Sequence, residues 1–121
     1  MAKPLNSVFR HHRQLVNCQK FDNAHIGLTT LPAKNRRGVH ITLIKTALNV
    51  FARERGLDQL DLSNDEFDQE TEDMVLTFKE LNTRKPILNF RGQIDPIVGK
   101  QTITALDDRL PFDPPKANDP Q

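Results

Sequence analysis

Residues 92–106 read GQIDPIVGKQTITAL, and residues 67–75 read FDQETEDMV. The two stretches share one order of residue types: an apolar residue, a capping position, two more residues, a threonine, two more, a small residue or methionine, then an apolar residue. In the first-quoted stretch these are Val98, Gly99, Thr102, Ala105 and Leu106. In the other they are Phe67, Asp68, Thr71, Met74 and Val75. This is the grammar of a helix start. The cap residue serves the orphan N–H groups of the first turn. The threonine three residues on bonds back towards it, as in a capping box, and the apolar residue ahead staples onto the first buried turn.

A third helix completes the set. In NRRGVHITLIKTALNVFARERGL (35–57) the apolar positions Ile44, Ala47, Leu48 and Phe51 follow the i, i+3, i+4, i+7 rule, with Val39, Leu43 and Val50 widening the stripe. Asn35 or a neighbour is the expected cap. Gly56 sits where a left-handed residue ends a helix, and Leu57 supplies the apolar contact that follows. The second helix is expected after Asp68, with Glu70, Glu72 and Asp73 favouring its positive end and Met74, Val75, Phe78 and Leu81 as its buried face. NTRKP stops it, because Pro86 cannot continue a helix. The last helix is expected from Lys100 to about Leu110, and ILNFRGQID (87–95) as a short hairpin or irregular extended piece. The expected core is Leu43, Ala47, Leu48, Phe51, Phe67, Val75, Phe78, Ile94, Val98, Ile103 and Leu106.

The ends read differently. Residues 1–37 carry seven Lys/Arg against one acid, Asp22, whereas the rest carry ten against fifteen. Residues 1–36 are therefore expected as a basic arm, with a short helix within NSVFRHHRQLVN and an extended or turn conformation in GLTTLPAK ahead of Pro32. Residues 111–121 hold four prolines and no periodicity, and are expected as a flexible tail. The 121-residue length fits one domain, here placed at 37–110.

The helix starts, following the GVHITLIKTALN helix, resemble the small three-helix peptidoglycan-binding domain. Its pattern has a first helix with spaced apolar residues, then two helix starts of the kind above, the second after an Asp-containing turn. The likeness spans 38–108 and is most specific at Ile94, Asp95, Val98, Gly99, Thr102 and Leu106. The chain departs from the family at Ile44, in place of a frequent glutamine, and at Asp68 and Pro96, in place of glycines. The resemblance implies a mainly α fold: a small three-helix peptidoglycan-binding-like domain with irregular or short hairpin connections. It also implies a noncatalytic module that binds bacterial cell-wall peptidoglycan and places a partner hydrolase, effector or envelope assembly there. Expected contacts are the polar residues around the last helix start: Asn89, Arg91, Gln93, Lys100 and Gln101. The alternative is a protein-interaction adaptor or secretion-system cargo that keeps the fold without the glycan; a small wall-degrading effector ranks third.

Other chemistries find less support. His11, His12, Cys18 and His25 match no zinc spacing, and one cysteine rules out an intrachain disulfide. Asp61 to Glu72 resembles a calcium loop in its acceptors, but Glu66 stands where the sharp turn needs glycine. No nucleophile motif accompanies His40, so binding is expected ahead of catalysis, with no cofactor and no metal. An acidic body without Trp or Tyr argues against nucleic-acid binding. No run reaches the ~20 apolar residues of a membrane span. The start has no apolar signal region, so action in the periplasm or cell wall implies export by a signal-independent route.

Overall fold

The computed structural model describes residues 4–30, 36–82 and 85–120. It is mainly helical, with four α-helices and no strand among the described residues: α1 (Arg13–Lys20), α2 (Val39–Arg55), α3 (Gln69–Glu80) and α4 (Lys100–Asp107). Short 3-10 turns cover Val8–His11 and Asp22–Ala24.

The local start and stop signals act as the sequence reading expects. Asp68 caps α3: its Oδ1 accepts from the Thr71 backbone N–H (3.0 Å) and the Thr71 hydroxyl (2.7 Å). Phe67 and Val98, the residues ahead of the two caps, are both buried. Gly56 ends α2 with φ 69°, a conformation glycine adopts without a Cβ penalty. Gly99 precedes α4 but has no side chain to cap with.

The α2 cap is Gly38, φ 124°; Asn35 lies outside the described residues, as do residues 31–34 of the GLTTLPAK segment and Thr83 and Arg84 of NTRKP. Val39 is 62% exposed, because the first turn of α2 points Ile41 and Ile44 inward instead. Leu81 terminates α3 and stays exposed, and Ile94 is only half-buried in an irregular loop. The last helix stops at Asp107, short of Leu110, and residues 108–110 close it as a turn. Residues 87–95 form no hairpin strands. Their tip is a turn in which the Asn89 N–H donates to the Gln93 carbonyl (2.8 Å), with Gly92 at φ 73°.

The N-terminal segment is where the structure departs most from expectation. Leu5, Phe9, Leu15, Val16, Cys18 and Ile26 are buried, so residues 4–26 build the core instead of standing off it as a solvated arm. The single helix expected there is broken at His12, whose extended backbone separates the 3-10 turn from α1. α1 packs on α4, and two fasteners hold the segment down. Ile26 and Val98 exchange both backbone hydrogen bonds (3.0 and 2.7 Å). Asp107, itself buried, accepts from the Asn6 and Ser7 backbone N–H groups (2.9 Å each) and from the Ser7 hydroxyl. The proline-rich tail is also anchored, because the Asp113 N–H donates to the Asn6 carbonyl (2.8 Å).

The rest of the core lies between α2, α3 and α4. Phe51 and Phe78 meet edge to face with ring centroids 5.2 Å apart, a geometry that favours the quadrupoles of both rings. The acidic loop is stitched to α2: Asn49 exchanges two hydrogen bonds with the Leu60 backbone, and the buried Lys45 ammonium donates to the Asn64 carbonyl (2.7 Å). Asp61 spends its carboxylate on the Ser63 hydroxyl and N–H. Among the described residues no three His, Cys, Asp or Glu side chains come together to hold a metal ion, and no helix is long and apolar enough to cross a membrane.

Replacing Asp68 by Ala removes the side-chain acceptor that caps α3. The expected loss is about 1 kcal/mol, read as a lower urea midpoint with an unchanged slope. Burial pushes the Asp68 carboxyl up, but the Thr71 hydrogen bonds outweigh it and hold the group below the usual carboxylate range. This contribution is therefore present at neutral pH and lost as pH falls through that depressed value. The D68A deficit should shrink in acid.

Candidate functional site

The junction of the 87–98 loop, the start of α4 and the Asp22–Ala24 turn encloses a groove of about 740 Å³. One buried cation organises its floor. The Lys79 side chain, 5% exposed, leaves α3 and places its ammonium 2.8 Å from Asp95 Oδ1 and 2.5 Å from the Ile97 carbonyl. Asp95 then takes the Asn89 amide on Oδ2 (2.9 Å) and the Ile97 N–H on Oδ1 (3.1 Å). Asn89 passes the order outward: its Oδ1 accepts from the Arg91 and Gln93 backbone N–H groups. A loop without regular secondary structure thus has its backbone groups satisfied one by one. Desolvation raises the Asp95 carboxyl, but the Lys79, Asn89 and Ile97 hydrogen bonds together hold it below the usual range.

The opposite wall comes from the N-terminal segment. The His25 ring packs on Gly99 so closely that a Cβ there would sit 3.3 Å from its Cε1. The glycine of the helix-start pattern thus admits a histidine as well as beginning a helix. His25 Nε2 is buried without a hydrogen-bond partner. Burial lowers the pKa of this imidazole, outweighing the upward pull of Asp22. On the rim, Asp22 and Lys100 form an exposed ion pair at 2.8 Å. The Lys100 hydrogen bond, then its charge, lowers the Asp22 carboxyl. Both side chains are open to water, so the pair is weak and ready to exchange its partners for those of a ligand. Leu88 (47% exposed) and Phe90 (94% exposed) form an apolar lip, with the Arg91 guanidinium over the Phe90 ring at 5.4 Å.

Of the five residues expected to make contacts, Asn89, Lys100 and Gln101 line this groove. Arg91 and Gln93 lie on the neighbouring turn, outside the lining, where their backbone N–H groups bond to Asn89. His25, Asp22, Lys79, Leu88 and Phe90 complete the site and escaped the sequence reading. Two exposed apolar residues flanking Asn89 were the visible signal for the lip. Nothing local marked His25 and Asp22, which are more than sixty residues away from the loop they face.

Chemically, the groove offers one apolar ledge, one exchangeable cation–anion pair and the side-chain amide of Gln101. That set suits a ligand carrying both charges and amides. No protein-family model, curated protein or solved structure matches the chain.

Replacing Lys79 by Met removes the ammonium and leaves Asp95 without its charged partner. A hydrogen bond to a charged group is worth about 2 kcal/mol, so a loss of that order is expected in chemical denaturation. The sign in pH is fixed by the depressed Asp95 carboxyl: its contribution exists above the ordinary carboxylate range and fades as pH falls through the folded value. K79M should therefore cost most at neutral pH and little in strong acid. An equal deficit at both would show that Lys79 acts through packing alone.

Proposed function

We propose that this groove is a noncatalytic docking site for bacterial cell-wall peptidoglycan, acting to hold a hydrolase, effector or envelope assembly at the wall. The observation that carries the reading is the meeting of Asn89, Lys100 and Gln101 in one groove at the second of two matched helix starts. Peptidoglycan stem peptides present amides, carboxylates and amines. The Asp22–Lys100 pair can trade its internal contact for charges of both signs, and Gln101 for amides. The Phe90 ring and Leu88 give the ligand an apolar surface to cover. A binding role fits the buried carboxylate of the groove better than acid–base work, since Asp95 is committed to Lys79.

A second reading has its own support. Phe90 at 94% exposure, beside Arg91, has the composition of a protein-interaction anchor. On that reading the chain is an adaptor or secreted cargo that keeps the fold and grips a protein partner.

Co-sedimentation with purified insoluble peptidoglycan, at low and high salt, separates the two. The wall-binding reading expects pelleting that survives high salt and weakens about tenfold, some 1.4 kcal/mol, when Lys100 and Gln101 are both changed to Ala. Absence of pelleting would reject it in favour of the adaptor. Pelleting lost with salt and indifferent to those substitutions would assign it to the basic residues of the N-terminal segment.

A further inference from the structure

A second cavity, about 630 Å³, opens beside the start of α4, between the N-terminal segment, α1 and the end of the proline-rich tail. Its volume suits a small molecule. Leu5, Val16 and Pro120 give it an apolar wall, and Arg10, Lys20 and Lys100 a charged one. Among the described residues no carboxylate lines it.

Stability gives no reason to gather three cations here. Like charges around one concave surface repel each other and focus a positive field into it. Lys100 also opens α4, whose first turn holds no acid and whose N-terminus has no side-chain cap. A cation at that end works against the helix dipole. Lys100 is answered by Asp22 at 2.8 Å. Among the described residues no carboxylate lies within ion-pair distance of Arg10 or Lys20. Asp119, next to Pro120, is taken by the His11 ring (2.7 Å) and the Lys116 N–H (2.8 Å).

The donors are held in place. Arg10 Nε and Nη2 both donate to the Leu5 carbonyl (3.2 and 2.9 Å), and the guanidinium carbon lies 5.4 Å from the centroid of the Phe112 ring. These contacts fix the plane of the fork and leave its other N–H groups for a ligand. The Gln19 amide donates to the Thr104 hydroxyl (2.9 Å), which ties α1 to α4 and keeps Lys20 and Lys100 on the same cavity.

We propose that this cavity binds a phosphomonoester group. With Lys100 paired to Asp22, the charges of Arg10 and Lys20 are left unanswered. A phosphomonoester carries about −1.5 to −2 at neutral pH and balances both, whereas a carboxylate balances one. Arg10 offers phosphate oxygens a bidentate fork, and Lys20 a point charge. The apolar wall covers the body that bears the phosphate. Only Lys100 is shared with the groove of the preceding subsections, and the cavity's ligand does not depend on what that groove binds.

A soluble ester and a lipid headgroup present the same group, and the test separates them. Inorganic phosphate is titrated into the isotope-labelled chain at constant ionic strength and about pH 7.5, where it is mostly dianionic. The readouts are the Arg10 Nε–H and the Lys20 amide. Saturable shifts of both are expected, with half-saturation on the order of 1 mM. Acetate should bind at least about tenfold more weakly, and Lys20→Gln should weaken phosphate about tenfold. Arg10→Lys, which keeps the charge and loses the fork, should weaken it as well. Arg13→Gln, at an exposed position of α1 outside the cavity, should leave it unchanged. Should Arg10→Lys disturb the Leu5 contact, Lys20→Gln, at another exposed position, carries the test. Co-sedimentation with phosphatidylcholine vesicles containing phosphatidic acid then identifies the bearer. Capture that inorganic phosphate competes away assigns a lipid headgroup, and phosphate binding without capture assigns a soluble ester. Equal binding of acetate, an equal loss in R13Q, or no saturable shift at Arg10 and Lys20 would overturn the proposal.

Discussion

A single ammonium shapes the part of this molecule that a ligand can reach. Lys79 sits on a helix, nearly sealed from water, and Asp95 and the Ile97 carbonyl of the irregular 87–98 loop turn towards it. The cost of burying its charge is met by Asp95 and by the Ile97 carbonyl. A hydrophobic residue would pack there at less desolvation cost, but it could not choose one arrangement of a loop that has no ladder of its own. The ammonium does choose. It fixes Asp95, Asp95 fixes Asn89 and Ile97, and Asn89 fixes the turn that carries Phe90 and Arg91. The lip of the groove is thus three hydrogen bonds away from a residue at the bottom of it.

The groove is also a product of the chain's closure. Asp107 gathers three donors from Asn6 and Ser7, and Val98 pairs with Ile26, so residues 6–26 are fastened to the last helix at both its ends. That fastening brings His25 onto Gly99 and Asp22 onto Lys100. A chain lacking its first thirty residues would lose one wall of the groove along with part of its core. The basic character of the segment is compatible with this, because Phe9, Leu15, Cys18 and Ile26 turn inward while Arg13 and Lys20 remain in water. Burial pushes the Cys18 thiol up to about 12, which makes it a small core residue and leaves it unreactive.

What could be read from the sequence was local. Asp68 and Thr71 announce a helix start because capping needs only neighbouring residues, and Gly56 announces an end for the same reason. The apolar periodicity of α2 identified Ile44, Ala47, Leu48 and Phe51 correctly, yet overreached at Val39, since a first turn often lies outside the packed face. The N-terminal segment was illegible because its helix is short and interrupted, so Phe9, Leu15 and Ile26 share no period. Of the five expected contacts, Lys100 and Gln101 line the groove because they open α4, and Asn89 because its amide is turned onto Asp95. Arg91 and Gln93 missed the lining because the turn at Gly92 carries them around the outside. His25, Asp22 and the His11–Asp119 pair depend on contacts between distant parts of the chain, which no single sequence window contains.

We propose that one groove, floored by Lys79 and walled by Asp22 and His25, is where this chain meets cell-wall material. Chemical-shift mapping with soluble peptidoglycan fragments on the isotope-labelled chain tests this most directly. The predicted result is a contiguous set of perturbed amides at Leu88, Phe90, Lys100 and Gln101, with His25 and Asp22 moving in step. Saturable shifts confined to the Arg10–Lys20 face, or no shifts at all, would contradict it.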